Sequence, residues 1–240
     1  MIRIASDHWL GEVMGRPVYR VDADGATAAD DLVSHARGQT EAFYFAKIPT
    51  DRIAAVRVLA RAGFCVVDVN VTFTMKPPAT ARRPLVDVGE CTPSGADAVL
   101  EIAGTCFKYT RFHLDPLVDD AVAHRVKREW VSNYVMRKRG DRLFVAYVDG
   151  RPAGFLAALV SDRGGERTAV IDLIGVGTTL RRRGVGESLV NAFLEHYRGS
   201  CGSLAVGTQI ANIPSVRLYE KLGFALAASE YVLHKHIPDV

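Results

Sequence analysis

The sequence is poor in cysteine and has no long apolar run. Its four cysteines, Cys65, Cys91, Cys106 and Cys201, stand far apart and form no CxxC pair. That removes the usual spacing sign of a metal or redox site and leaves unpaired thiols in a reducing compartment. No stretch approaches the roughly 20 apolar residues of a membrane span. The start, MIRIASDHWLGEV, has no apolar core behind basic residues, so no membrane and no export signal are expected, and the expected location is the cytoplasm. Charge of one sign is missing too. Thirty Lys and Arg against 27 Asp and Glu leave +3, too little to argue for nucleic acid without local clustering. What is present is ordinary for a soluble enzyme: 48% apolar and 24% charged residues in a chain of 240. That is one large domain or two small ones, with length enough for a core.

A seam stands at PPATARRP, residues 77–84, whose three prolines and two arginines interrupt the pattern as an extended connector would. It divides an N-terminal unit, 1–76, from a larger unit, 85–240. Before it, PVYRV and EAFYFAK are rich in aromatic and β-branched residues and predict strands. Helical spacing covers 27–37 and 51–62, and CVVDVNVTFTMK alternates as a half-buried strand does. After it the pattern predicts a strand in LVDVGECT, helices over 94–107 and 119–137, and a hairpin turning at Asp149-Gly150. Then come a strand over 168–176, a helix over 184–196, strand GSLAVGT, a helix over 214–222 and a final strand pair. One faint echo crosses the seam. FYFAKIPTDRIAAVRVLARAGF aligns without gaps with SLAVGTQIANIPSVRLYEKLGF, both ending in Gly-Phe. A repeated unit and the commonness of Gly-Phe at helix ends both account for it.

The segment LRRRGVGESL carries the first chemical signal. Arg181, Arg182 and Arg183 abut Gly184-Val185-Gly186 between a strand and a helix. Crowded arginines repel unless an anion or solvent separates them, and the glycines let backbone come close to a ligand. Successive N–H groups at a helix start suit a pyrophosphate. A dinucleotide fingerprint would need another glycine spacing, and a Walker loop would need Gly-Lys-Ser/Thr; neither is present. The segment resembles the acetyl-CoA motif of the GCN5-related N-acetyltransferases (GNAT), and NIPSVRLYEKLGF resembles that family's second motif, in the right order. Thr178 stands where many relatives have proline, and Ser215 where alanine is commoner.

The resemblance covers residues 85–240 and implies an α/β fold with a mixed, mostly antiparallel central sheet flanked by helices. The smaller N-terminal α/β unit would resemble half of such a domain. It also implies acetyl-CoA as donor, with no metal. The donor would be bound by Ile174, Gly175, Val176, Arg181, Arg182, Arg183, Gly184, Val185, Gly186, Asn212 and Ser215. Backbone N–H groups near 172–176 would polarise the thioester carbonyl, and Tyr219 would protonate the departing thiolate. Taken alone, Asn212 reads as a helix cap and Tyr219 as a packed aromatic. Asp172, His113 and Glu129 are the candidate bases, and the sequence does not separate them.

FKYTRFHLDP, residues 107–116, falls between the first two helices of the larger unit, which cover the acceptor in this family. Tyr109, Arg111 and Phe112 would offer aromatic surface and a guanidinium for a diphosphate, with Gln209 beside them. A loop anchored by buried aromatics explains the same residues. The pattern is similar to the dTDP-fucosamine acetyltransferase family, which implies the 4-amino group of a nucleotide-linked dideoxy sugar as acceptor. Another small amine, a protein N-terminus, and a non-catalytic acetyl-CoA-binding module are the alternatives. No nucleic-acid or membrane partner is expected, and a homodimer stays open.

Overall fold

The computed structural model describes residues 2–23, 29–80, 82–163 and 165–238. It opens with two elements the sequence reading left unassigned: strand β1, Arg3–Ser6, and helix α1, His8–Met14. Their signals were present. Asp7 Oδ1 accepts from the Leu10 amide at 3.0 Å, and Gly15, at φ 75°, closes the helix with its amide on the Gly11 carbonyl. There follow β2 (Val18–Asp22), α2 (Asp30–Arg37), β3 (Ala42–Pro49), α3 (Ile53–Arg61) and β4 (Cys65–Met75). The α2 helix expected from position 27 begins at Asp30; Thr27 and Ala28 lie outside the described residues.

Past the connector come β5 (Asp87–Glu90), α4 (Ala96–Thr105), α5 (Asp120–Val135), β6 (Arg142–Val148) and β7 (Arg151–Arg163). Then follow β8 (Glu166–Val176), α6 (Val185–Tyr197), β9 (Ser203–Gln209), α7 (Ile213–Lys221) and β10 (Ala225–Ile237). The expected final strand pair is one long strand, β10. It runs through Ala225–Ile237 with no turn, and both of its edges are taken up by neighbours, β3 and β4.

All ten described strands form one sheet in the order β1-β2-β3-β10-β4-β9-β8-β7-β6-β5. Neighbours are antiparallel except β2–β3 and β8–β9, which are parallel. The connector divides the chain in sequence, but hydrogen bonding crosses it: β10 is inserted between β3 and β4. The echo coincides with structure. Shifting Ile53–Arg61 by 160 positions gives the bounds of α7, Ile213–Lys221.

Strand alternation sorts the side chains to two faces. On one, α6 and α7 pack Leu189, Phe193 and Tyr219 against Val71, Phe73, Leu204 and Val206, while α2 and α3 cover Tyr44, Ala46 and Ile48. On the other, α4 and α5 cover Val145, Phe155 and Leu173, and α1 with α5 covers Phe43 and Phe45. Each large apolar side chain so covered contributes about 1.5–3 kcal/mol.

Candidate active site

The site starts from a break in the sheet. Strands β8 and β9 pair only through Thr168–Ile171 and Ser203–Val206, then part. Asp172 is the extra residue of a bulge on β8, since Ile171 faces Ala158 and Leu173 faces Ala157. Beyond it, residues 172–176 keep β7 on one side and have no strand partner on the other. The gap joins the two faces of the sheet. A cavity of about 1400 Å³ runs through it, lined on one face by Gly186, Leu218 and Tyr219 and on the other by Arg111, Lys127 and Trp130.

At the end of β8 the chain makes a short 3-10 turn at Thr178–Leu180 and enters the arginine-glycine segment. Arg182 has φ 65° and Gly184 φ 76°. A Cβ on Gly184 would lie 2.8 Å from Leu85 Cδ1, so a side chain there meets both strain and a contact. Gly184 precedes α6 without a side-chain cap, which leaves the first amides of that helix open toward the cavity. Gly175 is required by packing: a Cβ would stand 2.6 Å from Cys106 Sγ and 2.8 Å from the Phe155 ring.

Of the residues picked out from sequence, Ile174, Gly175, Val176, Arg181, Arg182, Gly184, Val185, Gly186, Asn212, Ser215, Tyr219, Tyr109, Arg111, Phe112 and Gln209 all line this one cavity. Arg183 does not; it is an exposed residue. Arg181 Nη2 donates to the Cys106 carbonyl at 2.6 Å, so part of its guanidinium pins the end of α4. Val185 is buried in the core, which leaves its backbone as the part facing the cavity. Asn212 caps α7, accepting from the Ser215 amide at 3.4 Å, and also donates to Thr208 Oγ1 at 3.3 Å. Tyr219 is 1% exposed between Phe73 and Phe224. Burial pushes its phenol pKa up against a hydrogen bond with Ser215, so it stays protonated and able to donate.

The acceptor-side residues sort less evenly. Tyr109 is 39% exposed at the cavity wall, but Phe112 is 1% exposed and belongs to the core with Phe43 and Leu10. Its ring supports Arg111 instead of offering a free stacking face. The Arg111 guanidinium lies 4.0 Å from the Phe45 ring centroid and 4.4 Å from that of Phe112. Burial lowers its pKa to about 10, which leaves it charged.

The three candidate bases also separate. The Asp172 carboxylate accepts from Trp130 Nε1 (2.8 Å), the Tyr134 hydroxyl (2.6 Å) and Arg139 Nε (2.9 Å). Burial alone would raise its pKa, but those bonds outweigh it and the net shift is downward. It ties α5 to β8 and has little basicity to spare. His113 does not line the cavity; it bonds Thr110 Oγ1 and His124 Nδ1, and burial, with His124 beside it, lowers its pKa to about 4. Glu129 does not line the cavity.

Several cavity residues escaped the sequence reading: Lys47 on β3, Asp68 on β4, Lys127 on α5 and Glu230 on β10. Each is a charged residue on the cavity side of a regular element, and only a charge interrupting the apolar run FYFAKIP could have drawn attention to one of them. Lys127 sits 4.9 Å from the Trp130 ring, and burial with nearby Arg111 lowers its pKa to about 8. Behind Arg111 runs a chain of hydrogen bonds that ends at Arg16. Arg111 Nη1 meets His234 Nε2 at 3.4 Å, and His234 Nδ1 and His236 Nε2 both meet Asp115 Oδ2, at 2.6 and 2.9 Å. Arg16 Nη2 closes the far end on His236 Nδ1 at 3.1 Å. The ligand-type atoms of Asp115, His234 and His236 lie within 4.8 Å of one another. With a guanidinium at the far nitrogen of each, both histidines turn an N–H toward Asp115, and burial holds the His234 pKa down at about 4.

Residues 97–224 match the family model described as the acetyltransferase (GNAT) family. The chain belongs to that family. It is an acetyltransferase, and the family's acetyl donor is acetyl-CoA. It is similar to the spore coat polysaccharide biosynthesis protein SpsD of Bacillus subtilis (strain 168), at 24% identity over 94% of this chain and 80% of that one. The GCN5-related N-acetyltransferase of Sphaerobacter thermophilus has the same fold, with TM-score 0.65 at 14% identity over 98% of this chain and 76% of that chain. So does a tandem GNAT protein from the clavulanic acid biosynthesis pathway, with TM-score 0.61 at 14% identity over 92% of this chain and 76% of its own. The GNAT fold accounts for the parted strands. A donor with a pyrophosphate and an amide-bearing arm fits unpaired β8 amides that lead into the open amides of α6.

Proposed function

We propose that the protein acetylates the primary amine of a nucleotide-linked amino sugar. In this reading the donor enters on the α6 and α7 face, with Arg181 to Gly186 around its pyrophosphate and Ile174 to Val176 along its arm. Asn212 and Ser215 stand beside it. The acceptor enters from the other face, where Gln209 and Tyr109 meet it. The amides of the parted β8 polarise the acetyl carbonyl, and Tyr219 gives its proton to the sulfur.

The observation that carries the acceptor class is the Arg111 guanidinium, held between two rings and facing the cavity with Lys47 and Lys127. Fixed cations beside an exposed tyrosine suit phosphate next to a flat base. The likeness to SpsD, named for spore coat polysaccharide biosynthesis, points the same way. Arg111→Lys keeps one charge but loses the fork and the stacking. It should raise the KM for dTDP-4-amino-4,6-dideoxygalactose about 30- to 300-fold, corresponding to about 2–3.4 kcal/mol for a charged, partly dry contact. The KM for acetyl-CoA should hardly move. Thiol release measured over a set of nucleotide sugars and free amines tests the reading. Equal use of free amino sugar, with Arg111 dispensable, would replace it with a general small-amine acetyltransferase. Acetyl-CoA bound without turnover on any amine would favour a non-catalytic binding module.

A further inference from the structure

The cavity lacks a base among the three residues the sequence offered, yet an acetyl transfer to an ammonium group must dispose of protons. Asp68 stands on β4 two residues before Asn70, which pairs with Gln209 at the end of β9. Val71 and Phe73 point into the core on one face, so Asp68, Asn70 and Thr72 point into the cavity on the other. The Asp68 side chain is buried at 6% exposure. It is hydrogen-bonded by the Val69 amide and the Gln209 side chain, but its Oδ2 has no partner among the described residues. A buried acceptor left unsatisfied is costly, so a ligand that completes it gains correspondingly.

The charged groups around it come from every neighbouring element. Lys47 on β3, Arg111 of the 107–116 loop and Glu230 on β10 line the same space, with Lys127 on α5 and Asp172 on β8 farther round. His234 on β10 lies behind Arg111. The cations hold no acceptor atoms, and Asp172 is already saturated by its three donor residues.

We propose that Asp68 is the general base, with Oδ2 taking a proton from the acceptor's ammonium group. This rests on reading the cavity as the acetyl-transfer site but not on which amine is the acceptor. Burial raises the Asp68 pKa to about 6, with the two hydrogen bonds, Lys47 and Arg111 pulling the other way without cancelling it. At neutral pH it is therefore ionised yet far more basic than an ordinary carboxylate. The protons balance. Asp68 takes the first from the ammonium and later releases it to solvent. The neutral nitrogen then bonds to the acetyl carbon as the carbon–sulfur bond breaks and its electron pair leaves on sulfur. The sulfur takes the Tyr219 proton, and the second nitrogen proton restores the phenol.

The test uses Asp68→Asn and Asp68→Glu in the full chain. Carboxyl 13C NMR of the resting protein, read as a difference from Asp68→Asn, should show a titration near pH 6. With dTDP-4-amino-4,6-dideoxygalactose, Asp68→Asn should lose roughly 10²- to 10⁴-fold in kcat and lose the acidic limb of the pH profile. Its acetyl-CoA affinity by calorimetry should stay unchanged, and Asp68→Glu should recover part of the rate. A retained kcat and acidic limb with only a higher acceptor KM would overturn the proposal, leaving Asp68 a partner of Lys47 and Arg111. So would a titration in the ordinary carboxylate range. If the wild type binds acetyl-CoA but ignores this sugar, the acceptor reading falls alone. The carboxyl titration then decides for Asp68, and if Asp68→Asn fails to fold the Asp68 resonance is identified by its loss in Asp68→Glu.

Discussion

The segments β3-α3-β4 and β9-α7-β10 are built to one plan. The parallel pairing of Val18–Val21 with Phe43–Ala46 recurs as Thr168–Ile171 with Ser203–Val206, at the aligned positions of the third and ninth strands. Gly63 at φ 86° and Gly223 at φ 93° end the two helices alike, each followed by a Phe amide bonded 3.0 Å from the carbonyl of Leu59 or Tyr219. Each copy then sends its last strand into the other, so that β4 lies on β9 and β10 on β3. The difference lies past the pairing. In the second copy β8 continues five residues beyond Ile171 and leaves a gap, whereas β2 ends at Asp22, one residue after its last partner. Where the second copy has Asn212 and Tyr219, the first has Arg52 and Leu59, and Leu59 is fully buried. A duplicated plan thus makes a cleft only where one strand outruns its neighbour. The N-terminal copy instead lends the cleft a wall, through Lys47 and Asp68.

The comparison breaks or sharpens most at the aligned pair Tyr219 and Leu59. Tyr219→Phe should lower kcat about 10²- to 10⁴-fold with acetyl-CoA affinity intact, because the ring stays and only the proton goes. Near-normal turnover would make the two positions equivalent packing residues. Leu59→Ala should do the reverse, costing about 2–5 kcal/mol in urea unfolding while the folded fraction keeps its kcat.

Next comes His234, whose counterpart on β4 is Thr74. Its folded pKa, about 4, lies below the unfolded value near 6.5, so the unfolded chain binds the extra proton. The stability it supports is present above pH 6.5 and is lost as pH falls toward 4. Unfolding free energies from urea titrations at pH 7 and 4.5 should differ by an amount on the order of 2–3 kcal/mol. His113, lowered in the same way, adds to the drop, and His234→Gln should flatten part of it. Asp115, held below the usual carboxylate range against its own burial by both histidines, acts in the same direction at lower pH.

The smallest effect is the most symmetrical. Gly63→Ala and Gly223→Ala each force a side chain into left-handed backbone and should each cost about 1–2 kcal/mol in thermal unfolding. The new Cβ at 63 would also press on the Lys235 ammonium, which can shift, while that at 223 would reach Met75 only at ordinary contact distance. A large inequality would show that the two helix ends are not held in the same way.

Local chemistry settled much of this protein in advance. Alternating strands, capped helices, the arginine-glycine turn and the second motif are short-range signals, since each depends on residues within a turn or two of one another. They determined the family resemblance and a set of site residues that, Arg183 apart, all line the cavity. Asn212, read alone as a helix cap, does cap a helix, and it lines the cavity as well. Tertiary structure decided the rest, because those facts depend on residues far apart in the chain. Phe112 lost its free face to Phe43 and Leu10, and Asp172 lost its basicity to Trp130, Tyr134 and Arg139. Asp68 became a buried carboxylate with an open oxygen only because β10 crosses from the other end to lie beside β4, and no pattern along the chain records which strand will be its neighbour.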